Sequence, residues 1–388
     1  MPSDCIVPVV EIRNVRVHPG ADMLSIAEVL GYQVVNGLVE DPEGEIVRTF
    51  VKDARDERGR RVPLPTDPEA GVVETEEVRF SFRYKEGERA VYFASDTVLT
   101  DEWVQTYEVD HLVKEGNRVG RCRLRGEASF GLVGEIPEGQ DWELGQNVAA
   151  FYEATKWEPP ADKMTAADAA AYDSEIDPHF VKYTDIQNGL LLYEKFQEGE
   201  EVVATEKIHG KNARIGLVNG VLQVGSRTYR KDARGGDIFH DVAADPQILD
   251  LLQRVVAERN AKTVILYGEI FGQGVQSLHY GCTKKKEFRA FDIYVDGEFL
   301  DYDDFRGYCD AQCVARVLEI YRGPFDLAKI KEVSNGKSTL PGADNIREGV
   351  VVRPAVERRD PALGRVVMKF VSPDYDLSKH KKKDTTDL

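Results

Sequence analysis

Residues 201–212 read Glu201-Val202-Val203-Ala204-Thr205-Glu206-Lys207-Ile208-His209-Gly210-Lys211-Asn212. The apolar run Val202-Val203-Ala204 predicts a strand that delivers Lys207 at its end. Gly210 permits a tight turn or a close approach of backbone to a ligand. Alternation places Lys207 and His209 on one face. A lysine fixed at the mouth of a site between apolar walls is suited to nucleophilic attack. A surface lysine beside a turn is the plainer reading of the same residues. Asn212 suits orientation of a metal-bound water or a terminal hydroxyl, or the capping of a turn.

Further groups suited to a nucleotide follow in order. They are Ser226-Arg227-Thr228, Tyr267-Gly268-Glu269-Ile270-Phe271-Gly272, Glu287-Phe288-Arg289-Ala290-Phe291-Asp292-Ile293, Arg347-Glu348-Gly349-Val350-Val351-Val352-Arg353-Pro354 and Val367-Met368-Lys369-Phe370-Val371. Glu269 at a strand end can accept hydrogen bonds from a ribose hydroxyl pair. Phe288 offers a flat face to a base, a contact worth roughly 1–3 kcal/mol. A core phenylalanine in a strand is the plainer reading of Phe288 alone. Glu348 suits a hydrated Mg²⁺. Lys369, between Val367 and Val371 on a strand, needs a partner such as a phosphate or an Asp. Arg227 and Arg353 are forks for phosphate or carboxylate.

Glu-Lys-x-His-Gly-x-Asn resembles motif I of the covalent nucleotidyltransferases, the superfamily of polynucleotide ligases and capping enzymes. The later elements resemble motifs III, IIIa, IV and V in their order. The form with His209 resembles the ATP-dependent RNA ligases of the Deinococcus and Naegleria type. That resemblance implies an α+β protein: an N-terminal OB-fold β-barrel, then a nucleotidyltransferase domain of antiparallel sheets with flanking helices. It implies Lys207 as the nucleophile that takes AMP from ATP. Around the nucleotide it implies Glu206, Ile208, Asn212, Arg227, Glu269, Phe288, Arg353 and Lys369, with Glu348 toward Mg²⁺ or Mn²⁺. The activity implied is sealing of 3′-hydroxyl and 5′-phosphate ends in RNA or an RNA-containing nicked duplex, in RNA repair. Two features depart from the pattern: Val367 stands where many relatives have a second motif V lysine, and His209 where most have Asp. DNA ligases and GTP-using capping enzymes are the nearest alternatives; their OB domain usually follows the catalytic one. A catalytically silent ligase-fold scaffold that binds nucleic acid is the alternative of another class.

Residues 1–152 read as short strands broken by turns at His18-Pro19-Gly20, Asp41–Gly44, Lys85-Glu86-Gly87 and Glu115-Gly116-Asn117. This pattern suggests a small barrel. Asp53–Arg61 reads as a charged solvated loop, and Arg118, Arg121, Arg123 and Arg125 as a basic strip or a salt-bridged strand. Residues 153–178, rich in Pro, Ala and Asp, read as the linker, and 179–388 as the catalytic domain. Helices are expected over Pro246–Arg259 and Asp310–Tyr321. Lys379–Lys383 reads as a frayed basic tail.

Net charge is −17 over 388 residues. It is uneven: residues 1–155 hold 17 Lys/Arg against 30 Asp/Glu, and residues 179–388 hold 32 of each. A local basic cleft is therefore compatible with the acidic whole. No run approaches the ~18 apolar residues of a membrane span. The opening MPSDCIVPVVEIRNV lacks the pattern of a secretory signal. Five scattered cysteines fit a cytosolic protein better than a disulfide scaffold. Cys309-x-x-x-Cys313 has no second pair at zinc spacing, and no P-loop pattern occurs.

Overall fold

The computed structural model describes residues 5–56, 61–64, 73–157, 177–227, 229–231, 236–361 and 363–375. The chain divides into two compact units, with described parts 5–157 and 177–375. Most of the expected linker, the Thr228 position and the tail Lys379–Lys383 lie outside the described residues.

Among the described residues, the regular elements of the first unit are strands apart from the short helix Asp101–Thr106. Leu24–Val29 and Tyr32–Glu40 form a hairpin, and Tyr32–Glu40 pairs onward with Thr75–Phe82. Its core gathers Val7, Val9, Val91, Phe93, Leu99, Val119, Trp142 and Tyr152. Phe93 meets Tyr152 edge to face at 4.9 Å, a favoured aromatic geometry. Among the described residues the strands fall into separate sheets of three, four, two and six, and no closed barrel forms. Of the charged loop expected at Asp53–Arg61, Asp53–Arg55 and Arg61 are strand, and 57–60 lie outside the described residues. Ile46–Arg55 pairs with Thr75–Phe82, and Arg61–Pro63 pairs back onto Ile46–Arg55. Cross-strand pairing outweighs the local charge, and Phe50 and Phe80 bury the inner face. The arginine strip is partly committed: Arg118 stacks on Trp157 at 3.4 Å and donates to Asp96. Thr155–Lys156 pair with Thr97–Val98, so the first unit's order runs past residue 152.

The second unit is built on two five-stranded sheets. One has the order Gln187–Asn188, β8 (Met368–Val371), β7 (Gly349–Pro354), β1 (Glu201–Glu206), β6 (Glu319–Pro324). The other runs β3 (Val221–Ser226), β2 (Lys211–Val218), β4 (Thr263–Gly272), β5 (Lys286–Val295), Glu298–Phe299. Val202, Val203 and Ala204 are fully buried on a strand paired on both sides in the first sheet, which explains their unbroken apolar run. Among the described residues, besides the single turn Gly189–Leu192, these sheets are accompanied by α1 (Ile238–Ala243), α2 (Pro246–Arg259), α3 (Tyr302–Ala311) and α4 (Leu327–Ser334). Helix α2 has Asp245 as N-cap, Pro246 in its first turn and Asn260 left-handed at its end. Ile248, Leu251, Leu252 and Val255 of α2 pack on Val264, Leu266 and Ile270 of β4.

The helix expected at Asp310–Tyr321 is not there. Helix α3 lies earlier and ends by Ala311, Cys313 turns left-handed (φ 55°), and Glu319–Pro324 is a strand. Residues 315–317 are drawn to the sheet edge instead, with backbone bonds Ala290 N–Ala315 O and Val317 N–Ala290 O.

Candidate active site

Strand β1 belongs to one sheet and β2 to the other, and only Lys207–Gly210 lie between them. The Lys207 amide donates to Gly349 O, tying the turn to β7. The Gly210 amide donates to Glu269 Oε1 at 3.1 Å, tying it to β4. A Cβ on Gly210 would stand 2.2 Å from Ile270 O, so only glycine allows this approach. Tyr280 Oη, from a buried ring, accepts the His209 amide at 2.7 Å.

Lys207 Nζ donates to Glu348 Oε1 at 2.8 Å in a pair that is mostly covered. His209 Nδ1 stands 3.7 Å from Glu348 Oε2, and the ring packs edge-on against Tyr375. The structure thus gives His209 a place beside Glu348. Thr205, Val351 and Lys369 are cross-strand neighbours, so Lys369 lies on the sheet face that Lys207 continues by alternation. Val367 is buried in the core and offers no cation.

On the second sheet Asn212 and Glu269 are direct cross-strand partners. Burial, partly opposed by Lys207 and reinforced by Glu348, pushes the Glu269 carboxyl up to about 8. A carboxyl raised from 4.5 stabilises the fold fully below about pH 4.5, and that contribution is lost as pH rises through about 8. The melting temperature of the nucleotide-free protein is expected to fall across that window more steeply than that of Glu269→Gln. Parallel profiles would refute this.

Three polar atoms of the expected site residues lack partners. Glu206 Oε1, Asn212 Oδ1 and Glu348 Oε2 are buried without a hydrogen bond. The other Glu206 oxygen is held by the Thr339 amide and hydroxyl. Such orphans are costly unless a ligand satisfies them. Among the described residues no three His, Cys, Asp or Glu side chains converge as a metal cage. A lone orphaned carboxylate oxygen on Glu348 fits a hydrated Mg²⁺ or Mn²⁺ that keeps its waters.

Two expected residues, Phe288 and Arg353, are placed otherwise. Phe288 pairs with Ile270, on the helix-covered face of the sheet, away from Glu269. Its ring lies over Gly268, where a Cβ would approach it to 2.2 Å. The aromatic on the site side is Phe291, which packs with the Ile208 cluster and meets Tyr183 at 4.8 Å. Phe288→Ala is therefore expected to lower stability by on the order of 2 kcal/mol and leave ATP use little changed. Phe291→Ala is expected to raise the ATP concentration needed for half-maximal labelling. The reverse pattern would restore Phe288 to the nucleotide.

Arg353 is buried and bound to Asp292 Oδ1 at 2.9 Å, with Glu357 at 3.2 Å. Arg365 closes the same cluster through Asp292 Oδ2 at 2.6 Å. Neither presents a free fork to phosphate, because both charges are already matched inside the core. Arg227 is exposed and paired with Asp185, close enough to Glu269 to oppose the rise of its carboxyl.

Residues 200–371 match the family described as RNA ligase. No curated protein sequence matches the chain. Among solved structures, a ligand-free variant of the RNA ligase of Naegleria gruberi is 20% identical over 97% of this chain and 98% of that one, with a TM-score of 0.66. The Naegleria enzyme with pyrophosphate is 21% identical over 97% and 99%, with a TM-score of 0.64. A variant of it holding AMP and manganese gives 20%, 97%, 99% and 0.66. The chain thus shares the fold of that enzyme.

Proposed function

We propose that this chain is an ATP-dependent RNA ligase that seals 3′-hydroxyl and 5′-phosphate ends through a lysyl-AMP, as part of RNA repair. The reading is carried by Lys207 Nζ at 2.8 Å from Glu348 Oε1, whose other oxygen is buried without a partner. The match of residues 200–371 to RNA ligases supports it. So does likeness to an enzyme whose structures hold pyrophosphate, or AMP with manganese.

In the first step Lys207 Nζ attacks the α-phosphorus of ATP in line. A nitrogen–phosphorus bond forms, the bond to the β-phosphate oxygen breaks, and pyrophosphate leaves. The amine must shed its protons, and Glu348 Oε1 is the acceptor already in contact. Phe291 flanks the base and Glu269 accepts from the ribose hydroxyls. Lys369 offers a cation to the phosphates from the face Lys207 continues. Glu348 Oε2 would hold Mg²⁺ or Mn²⁺, which offsets phosphate charge when bound. AMP then passes to the RNA 5′-phosphate, and the 3′-hydroxyl displaces it. All three steps are displacements at phosphorus, where positioning and charge dominate.

Residues 1–152 are assigned as an OB-fold-like domain and 179–388 as the catalytic domain, joined by 153–178. Among the described residues no helix is long and apolar enough to cross a membrane. None of the five cysteines forms a disulfide, as a cytosolic setting would leave them. The test is sealing of a nicked duplex with RNA or DNA at the 3′-hydroxyl end, with ATP or GTP. Sealing that needs ATP and an RNA end is expected. Equal use of DNA ends would replace RNA ligase by DNA ligase, and GTP preference would point to capping chemistry. Nucleic-acid binding without sealing or labelling would favour a silent scaffold.

A further inference from the structure

Arg289 lies directly across from Glu269, which lies across from Asn212, so the three occupy one face of the second sheet. Its side chain is 20% exposed, and its charge is poorly matched. Nε is buried without a hydrogen-bond partner. Nη2 reaches Glu287 Oε2 only at 3.4 Å. Glu287 is itself engaged by Lys285 Nζ at 2.6 Å, and that lysine is the main reason its carboxyl is held below the usual range. A guanidinium offers five donors in a planar fork, and two parallel donors suit a phosphate. Arg353 and Arg365 each keep one orphaned donor as well, but their charges are matched by Asp292 and Glu357 at 2.6–3.2 Å, against the single 3.4 Å contact of Arg289. Arg289 has a covered donor still waiting for an anion.

The surroundings indicate which anion. Strand β4 separates Arg289 from β2, the strand into which the Lys207 turn runs. Arg289 is therefore on the far side of Glu269 from the nucleophile. Just upstream, Lys284, Lys285 and Lys286 are exposed, and alternation puts Lys285 on the face of Arg289. In a chain of net charge −17 this is a local cationic track leading from the rim toward the site. A track of this kind suits a polymer of phosphates better than one nucleotide.

We propose that Arg289 binds a backbone phosphate of the RNA strand and serves the sealing steps, not the adenylylation of Lys207. The incoming phosphate takes the fork and replaces the long contact to Glu287, which keeps Lys285. The proposal rests on the ligase reading.

The test compares wild type, Arg289→Ala and Arg289→Lys as full chains in two single-turnover assays. One measures lysyl-AMP formation from labelled ATP. The other measures sealing of a nicked RNA duplex whose 5′ end is already adenylylated, without ATP. Arg289→Ala is expected to seal about tenfold more slowly or worse while forming lysyl-AMP within about twofold of wild type. Arg289→Lys should recover part of the sealing rate. Equal loss in both assays would reassign Arg289 to ATP, and no loss in either would leave it a surface group; each outcome overturns the proposal. A drop in melting temperature that explains the whole loss would also overturn it. If wild type forms no lysyl-AMP, the ligase reading itself fails. Binding of the same duplex by wild type and Arg289→Ala then decides: a tenfold gap upholds the phosphate contact, and equal affinity rejects it.

Discussion

Lys207→Ala is expected to leave no label on the protein after incubation with α-labelled ATP and denaturing electrophoresis. The loss should be at least about a thousandfold, because the variant has no amine to carry the phosphoramidate. Its fold should persist: the Lys207 amide still reaches Gly349 O, and the removed contact is a single mostly covered ion pair. Lys211 and Lys369 are near enough in sequence and sheet position to serve as internal controls, and neither should take the label. A labelled Lys207→Ala protein, or a label mapped to Lys369, would remove Lys207 from the role. Unlabelled wild type, freed of bound AMP and offered GTP and NAD as well, would remove the role altogether.

Asp292→Ala should be the most destabilising change in the second unit. Asp292 is fully buried and receives Arg353 at 2.9 Å, Arg365 at 2.6 Å and the Tyr183 hydroxyl at 2.9 Å. Without it, two covered guanidinium groups share Glu357 alone. Uncompensated buried charge costs about 3–5 kcal/mol. For a unit of this size that lowers the melting temperature by roughly 10 °C. Asp292→Asn, which keeps the shape and loses the charge, should fall between. An Asp292→Ala protein melting within about 2 °C of wild type would show that Glu357 suffices. The effect reaches the site through β7, which carries Arg353 and begins at Gly349, the residue after Glu348.

The sequence carried some of this plainly. Val202–Ala204 and Pro246–Arg259 announce themselves, one by an unbroken apolar run, the other by Asp245, Pro246 and helical spacing. Glu269 and Glu348 stand out only through the order of the motifs they sit in, since either carboxylate alone reads equally as a solvated one. The facing of Phe288 is not. Pairing shifts between Tyr267 and Gly268, where β5 carries an extra residue. That bulge turns Phe291 and Asp292 toward Tyr183 on the same side. Strict alternation cannot foresee it. Arg353 misleads for a related reason: an arginine fork looks the same on the page whether its anion is a phosphate or a buried aspartate. Strand Ile46–Arg55 hides because its outer half is charged and its pairing partner lies more than twenty residues on.

The four residues between β1 and β2 carry one more implication. The chain passes between the two sheets at Lys207–Gly210 and again at 300–318, so any closing of one sheet upon the other has to be absorbed at those two crossings. A group seated on an axle rotates but hardly travels. The nucleophile would therefore keep its distance to both walls while groups farther out, such as Arg289 and Lys369, sweep through larger arcs. Changing the length of that short joint by even one residue should be far more damaging than replacing most of the side chains it displays.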